Sequence, residues 1–417
     1  MIKWDFDKEF YPEGMPRCNT AKFSPVILIG GALLTWGIIG VVLCLGYGLN
    51  QTGMNDYYAF GLWIVFDLAI IALGAGAFFT GFLNYVIGRK ELKEAINAAV
   101  IIGFICYSGA VAMLGIDIGQ PIRGWFIFWH ANVHSMLTEV SFCITCYLGV
   151  LLIEYLPNVL ENRKAQQKRF VRLLSHNFHE YMFIFAGTGA FLSFFHQGSL
   201  GGMFGVLFAR PFAFREGFLI WPWTFFLFVW SAIAAGPAFT TLIISLTEKL
   251  SGRKLVSYSV KMFYGKLCGW LLLTYMIAKS IDTLYWALST LPRMGVTFDS
   301  LYADGPYGMW LVWLELGVFG WLPALALIIP KVRRNPNLLL MAMLFDVTGA
   351  VLNRFVFVIQ SLAIPVLPFE KFVGYMFTWP EAGIAAAVLG YGILLFGLSY
   401  RYLPVFPRER DLNPVKG

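Results

Sequence analysis

Charge is scarce in this chain. Asp, Glu, Lys and Arg make up 13% of its 417 residues, and 58% are hydrophobic. A soluble domain carries about a quarter charged residues, so composition excludes one and requires an integral membrane protein. Histidine and cysteine are also few, at five and six. Cys44, Cys106, Cys143, Cys146 and Cys268 fall inside apolar runs as small side chains, and only Cys18 precedes them. Cys143 and Cys146 have CxxC spacing, but no second pair completes a metal set. Residues 1–24 lack an apolar core and hold Lys3, Asp5, Asp7, Lys8 and Glu9, so they read as a tail without a cleavable signal peptide. No segment outside the apolar runs is long enough to be a soluble domain.

What the chain has is ten apolar runs, near 25–49, 58–86, 95–117, 132–156, 178–199, 221–246, 262–290, 308–330, 338–362 and 377–400. Each exceeds the roughly 20 residues that cross a hydrocarbon core. The expected fold is an all-α membrane protein of ten transmembrane helices. Of 31 Lys and Arg residues, 24 fall in the two tails and the loops after runs 2, 4, 6 and 8. Positive-inside bias places those segments, and both termini, in the cytoplasm. The net charge of +7 resides in these loops and does not indicate a nucleic-acid partner. The opposite loops, near 118–131, 200–220, 291–307 and 363–376, are rich in glycine, proline and aromatics. They read either as interfacial packing or as a docking surface for a partner subunit.

An internal duplication is visible. Trp63 precedes Ala75-Gly76-Ala77-Phe78 as Trp223 precedes Ala235-Gly236-Pro237-Ala238-Phe239, with a Trp-to-Gly spacing of 13 in both. Glu139 and Glu315 match in depth, and acids stand toward the ends of runs 3 and 7 (Asp117 and Asp282). Runs 2–4 thus resemble runs 6–8 in parallel topology. The expected organisation is a tail over 1–24, four-helix bundles over 25–156 and 157–330, a terminal helix pair over 331–400 and a tail over 401–417.

Ionisable residues inside a membrane are costly and mark functional sites. Asp67, Asp117, His134, Glu139, His196, Lys279, Asp282, Glu315, Arg354 and Glu381 map to the outward half, whereas Asp346 lies in the inward half with Glu154, His179 and Glu180 at its edge. Structural roles compete at several: Lys279 and Asp282 are spaced to neutralise each other, Arg354 can pair with an acid on a neighbouring helix, and Glu381 is near enough to the surface to be hydrated. The densest polar cluster runs from Asp117-Ile-Gly-Gln120-Pro121-Ile-Arg123 through Trp129, Asn132, His134 and Ser135 to Glu139. Pro121 and Gly119 end the third helix, and Asp117 and Glu139 are expected to face each other from adjacent helix ends. Two carboxylates, an imidazole, an arginine and aromatic walls suit the carbonyls and protons of a quinone.

The run Asp117-Ile-Gly-Gln-Pro121-x-Arg123, followed by Asn132, Ser135 and Glu139, resembles the signature of the NrfD/PsrC family of quinone-interacting membrane subunits. The ten helices resemble its longer branch, which serves periplasmic hydrogenase, alternative complex III and the Qrc, Hmc and Dsr complexes. Gln120 departs from the arginine usual there and leaves Arg123 as its substitute. The resemblance implies a multi-pass subunit of the bacterial or archaeal cytoplasmic membrane, with no haem or metal of its own. It implies electron exchange between menaquinone and a periplasmic ferredoxin-like iron–sulfur subunit, in a complex with a multihaem cytochrome, a molybdopterin-type subunit or a hydrogenase. It places the quinone at Asp117 and Glu139, with Gln120, Arg123, Asn132 and Ser135 as matched neighbours. Depth adds His134, Trp129, Trp63 and Asp67, and a proton route through Glu315, Asp282, Lys279, Asp346 and Arg354. Two other readings compete. A di-haem cytochrome b needs two histidine pairs on facing helices, and only His134 with His196 offers one. A secondary transporter would use the parallel repeats, but the inward half is poor in buried polar residues.

Overall fold

A computed structural model of the chain describes Cys18 and residues 20–160, 166–218, 221–303, 305–364 and 372–413. Ten long helices account for most of them: α1 Thr20–Tyr47, α2 Leu62–Val86, α3 Ile96–Asp117, α4 Met136–Leu160, α5 Met182–Gly205, α6 Trp223–Ser251, α7 Tyr258–Arg293, α8 Trp310–Ile328, α9 Pro336–Ala363 and α10 Trp379–Tyr402. Nine of them are apolar enough along 18 residues to cross a membrane. The remaining one, α5, has 24 residues, but its glycines and serines with His196 and Gln197 dilute its hydropathy. The protein is therefore the multi-pass all-α membrane protein that composition requires. A short amphipathic helix, Arg169–Glu180, joins α4 to α5, with Phe170 and Leu173 exposed on its apolar side, a pattern that lies flat on a membrane surface.

The helices group differently from the expected 25–156, 157–330 and 331–400. α2, α3, α4 and α5 close one four-helix bundle, α6, α7, α8 and α9 close a second, and α1 lies along α10. Glycines explain the terminal pairing. A Cβ on Gly37 would come within 2.0 Å of the Ala387 Cβ, and one on Gly390 within 2.7 Å of the Gly30 carbonyl. Gly30 and Gly37 are seven residues apart, as are Gly383, Gly390 and Gly397. Each series thus presents one smooth face, the small-residue packing that holds membrane helices together. Of the expected tails, residues 1–17, 19 and 414–417 lie outside the described residues.

The duplicated glycines meet. A Cβ on Gly236 would lie 2.2 Å from the Gly76 nitrogen, and one on Gly76 would lie 2.6 Å from the Gly236 carbonyl. The two bundles thus touch backbone to backbone where α2 crosses α6. Pro237 leaves no amide to donate at that crossing, and Thr240 and Thr241 return hydroxyl hydrogen bonds to the carbonyls of Gly236 and Pro237 at 3.1 and 2.8 Å. Four helices contain π turns, at Phe82–Val86, Trp286–Thr290, Trp313–Trp321 and Val356–Gln360. Such turns widen a helix locally and concentrate at functional sites. Three of them lie in the second bundle: one contains Glu315, and the other two follow Asp282 and Arg354 in sequence.

Candidate functional site

One end of the molecule, here the loop-rich face, carries residues 48–61 and 118–135 and the described parts of 206–222, 294–309 and 364–378. The other, the basic face, carries 87–95, 252–257, 329–335 and the helix Arg169–Glu180. Three acids gather under the loop-rich face from three helices: Asp67 on α2, Asp117 at the end of α3 and Glu381 in the first turn of α10. Asp67 and Asp117 lie within electrostatic range of each other, as do Asp117 and Glu381. Asp67 is buried and Asp117 half-buried. One oxygen of each, Oδ1, accepts no hydrogen bond from the described protein. Buried carboxylate oxygens are nearly always satisfied, so these two are free to meet a bound group.

Glu381, expected near hydrating surface, is fully buried. Its Oε2 accepts from the Gly53 amide at 2.9 Å, and its Oε1 accepts from the Leu62 amide at 2.9 Å and from the Tyr375 hydroxyl. The Trp63 indole donates to its carbonyl oxygen at 2.9 Å. Tyr58 adds a hydrogen bond to the Val373 carbonyl at 2.6 Å. The start of α10 thereby straps the 48–62 segment over the acids, with Trp63, Tyr58 and Tyr375 as aromatic walls. Tyr375 stands outside the membrane helices; burial, then the hydrogen bond to Glu381, hold its phenol above the ordinary tyrosine range.

Deeper in the same bundle, Tyr107 shares a hydrogen bond with Ser193 at 2.8 Å, and Gln197 donates to the Ile71 carbonyl at 2.8 Å. His196 and Tyr147 pack against the Tyr107 ring. The Asp117-to-Glu139 motif, by contrast, forms an open rim. Gln120, Arg123, Trp129, Asn132 and His134 are exposed, and Ser135 and Glu139 are half-buried. Asn132 caps this turn by accepting from the His134 amide at 3.0 Å. Glu139 stands within electrostatic range of Cys143 on its own helix, whereas Asp117 is grouped with Asp67 and Glu381. His196 is buried and His134 is exposed.

In the second bundle, Lys279 lies 3.7 Å from Glu315, and Glu315 accepts from the Asn353 amide group at 2.6 Å. Asn353 in turn accepts from Arg354 at 2.7 Å, and the fully buried Arg354 guanidinium covers the Phe228 ring at 4.0 Å. A cavity of about 20 Å³, room for a water molecule, is lined by Ser231, Tyr275, Lys279, Glu315, Asp346 and Asn353. Asp282 stands apart from this group. It pairs with Arg215 at 3.0 Å, not with Lys279, and Arg215 stacks on Trp286.

Sequence reasoning missed Glu381, Tyr375, Tyr58 and Gln197 as members of these sites. A signal existed for Glu381: Thr378-Trp-Pro-Glu381 has the spacing of a capping box. Its carboxylate reaches past its own helix to the amides of Gly53 and Leu62.

Two four-helix bundles and a terminal helix pair, with three acids gathered beneath one face, define a polytopic membrane protein. A family model described as "Polysulphide reductase, NrfD" matches residues 50–366, and the chain belongs to the NrfD family. It is 53% identical to the menaquinone reductase integral membrane subunit of Nitratidesulfovibrio vulgaris, over 98% of this chain and 97% of that protein. It is 24% identical to a selenate reductase subunit of Mesobacillus selenatarsenatis, covering 91% and 94% of the two chains. It is also 24% identical to a probable Ni/Fe-hydrogenase 2 b-type cytochrome subunit of Escherichia coli, covering 94% and 95%.

Proposed function

We propose that this chain is the membrane subunit of a respiratory oxidoreductase complex and binds menaquinone beneath the loop-rich face, at Asp67 and Asp117. The observation that carries the reading is the pair of carboxylates whose Oδ1 atoms accept no hydrogen bond among the described residues. They are roofed by the Glu381 strap in a chain half-identical to a menaquinone reductase subunit. The residues fit the group: a quinone carbonyl accepts a hydrogen bond from a protonated carboxyl, and Trp63 offers an apolar wall. Bound menaquinone supplies two-electron, two-proton chemistry. Asp67 and Asp117 hold or pass protons at Oδ1, while Glu381 fixes the roof that excludes water. Gln120, Arg123, Trp129, Asn132, His134, Ser135 and Glu139 form the rim, where an iron–sulfur partner subunit would dock. The excess of basic residues at the opposite end supports an orientation with that end and both termini in the cytoplasm and the rim in the periplasm. The Lys279–Glu315–Asn353–Arg354 chain with Asp346 supports a proton route through the second bundle, and Asp282, paired with Arg215, stands outside it.

The test is fluorescence quenching of the purified chain by a quinone-site inhibitor analogue. Saturable quenching is expected for the parent protein and for Glu139→Gln, and is expected to vanish in Asp67→Asn and Asp117→Asn. Saturable quenching that survives both aspartate variants would overturn the placement and move the site towards Glu315.

A further inference from the structure

A large apolar crevice among the described residues opens outside both acid clusters. It opens where the α1–α10 pair stands across from α6, with α2 and α3 as its floor. The crevice encloses about 520 Å³. Its walls include Ile70, Ile105, Ile243, Leu246, Leu250 and Phe396. Along α6 it runs from Phe239 to Leu250, eleven residues or about 16 Å at ~1.5 Å per residue, which is about half of a ~30 Å hydrocarbon core. It is thus one leaflet deep and ends at the basic face. Protein interiors do not keep apolar voids of this size, and in a bilayer hydrocarbon enters one.

The mouth specifies which hydrocarbon. Lys22 and Arg253 line it beside Ser251, and Lys22 is exposed there. Arg253 pairs with the buried Glu409 at 2.5 Å, whereas Lys22 meets no carboxylate among the described residues and reaches the Ser251 carbonyl at 3.5 Å. The adjoining hollow between α6, α7 and α9 is lined by Lys249, Lys254 and Lys261 with a single carboxylate, Glu248, which Lys261 engages. Basic pockets between membrane helices at such a face hold anionic headgroups. A leaflet-deep apolar slot below a basic mouth has the shape and polarity of a phospholipid.

We propose that this crevice is a binding site for one anionic phospholipid, with an acyl chain between α10 and α6 and its phosphate at Lys22 and Arg253. The lipid completes the contact between the terminal helix pair and the second bundle, which the protein's own side chains leave open. An uncharged quinone gains nothing from the basic mouth, although the deep end at Ile70 is one turn from Asp67; menaquinone is therefore one outcome of the test.

The test places the full chain in nanodiscs of phosphatidylglycerol in excess phosphatidylcholine. After extraction into mild detergent, the retained lipids are quantified by mass spectrometry, with size-exclusion profiles to confirm folding. Each basic residue near a membrane surface favours an anionic lipid about fivefold. The parent is expected to retain about one phosphatidylglycerol per chain, enriched over the bulk ratio. Lys22→Gln is expected to lower that enrichment about fivefold, and Lys22→Glu further. Leu246→Trp, at an exposed wall position, fills the slot and is expected to release the lipid from a folded chain. Retention of phosphatidylcholine at the bulk ratio, retention of menaquinone in its place, or enrichment unchanged in Lys22→Glu would overturn the proposal.

Discussion

Replacing Glu381 tests the roof of the site atom by atom. Its two oxygens accept three donors: the Gly53 amide at Oε2, and the Leu62 amide and Tyr375 hydroxyl at Oε1. Glutamine keeps one acceptor oxygen and turns the other into a donor, so Glu381→Gln satisfies Oε1's pair and faces an NH2 at the Gly53 amide. A buried donor left unmet costs about 1–3 kcal/mol, which at ~1.4 kcal/mol per factor of ten is about a 5- to 150-fold loss of protection. Hydrogen exchange read by mass spectrometry over residues 48–62 should show that loss at Gly53 and little at Leu62. Glu381→Ala should expose the Gly53 amide, whereas the Leu62 amide keeps the Tyr375 hydroxyl as an acceptor at 2.7 Å. The strap depends on a neutral Tyr375, whose phenol is held above its ordinary value of about 10. Its contribution is whole below that pH and is lost as pH rises through the folded value, so protection should fall only in strong alkali. Equal exchange at Gly53 and Leu62 in Glu381→Gln, or parental protection at both, would refute the reasoning.

Gly236→Leu should fail to assemble, because even a Cβ there lies 2.2 Å from the Gly76 backbone. Overpacking of this kind costs about 1–3 kcal/mol or more, read as the monodisperse fraction after purification. Arg215→Ala strands the buried Asp282 carboxylate and should cost about 3–5 kcal/mol in equilibrium unfolding in mixed micelles. Restoring stability with Arg215→Ala/Asp282→Asn would confirm that charge is the cause, and a stable single variant would contradict it. Glu315→Gln keeps an oxygen for Asn353 but breaks the pair with Lys279. Charge movement by the reconstituted complex should fall while inhibitor quenching stays parental, and unchanged charge movement would remove Glu315 from the proton route.

Much of this architecture was legible because hydropathy reports depth. The apolar runs read as helices, and the duplicated Trp63–Gly76 and Trp223–Gly236 intervals mark two segments that cross at those glycines. Depth says nothing about azimuth, however. Asp117 and Glu139 share a level, yet Asp117 is grouped with Asp67 and Glu381, and Glu139 stands on the rim. Glu381 reads as a surface acid because its partners, Gly53 and Leu62, are more than 300 residues away in sequence. The pairing of α1 with α10 escaped for a related reason. Lipid is as apolar as a helix face, so hydrophobicity does not choose partners in a membrane. The seven-residue glycine spacing of Gly30–Gly37 and Gly383–Gly390 was the available clue.

That pairing joins an early-made helix to one made much later. Between the end of α1 at Tyr47 and the start of α10 at Trp379 lie about 330 residues, roughly 20 to 70 s of synthesis at ~5–20 residues per second. Throughout that interval the smooth glycine face of α1 must wait in the bilayer without its mate, and so must the 48–62 segment, whose amides are met only when Glu381 emerges. Assembly of the site is thereby timed by α10. A nascent chain stalled before α10 would hold every helix of both bundles and still lack the strap over its acids.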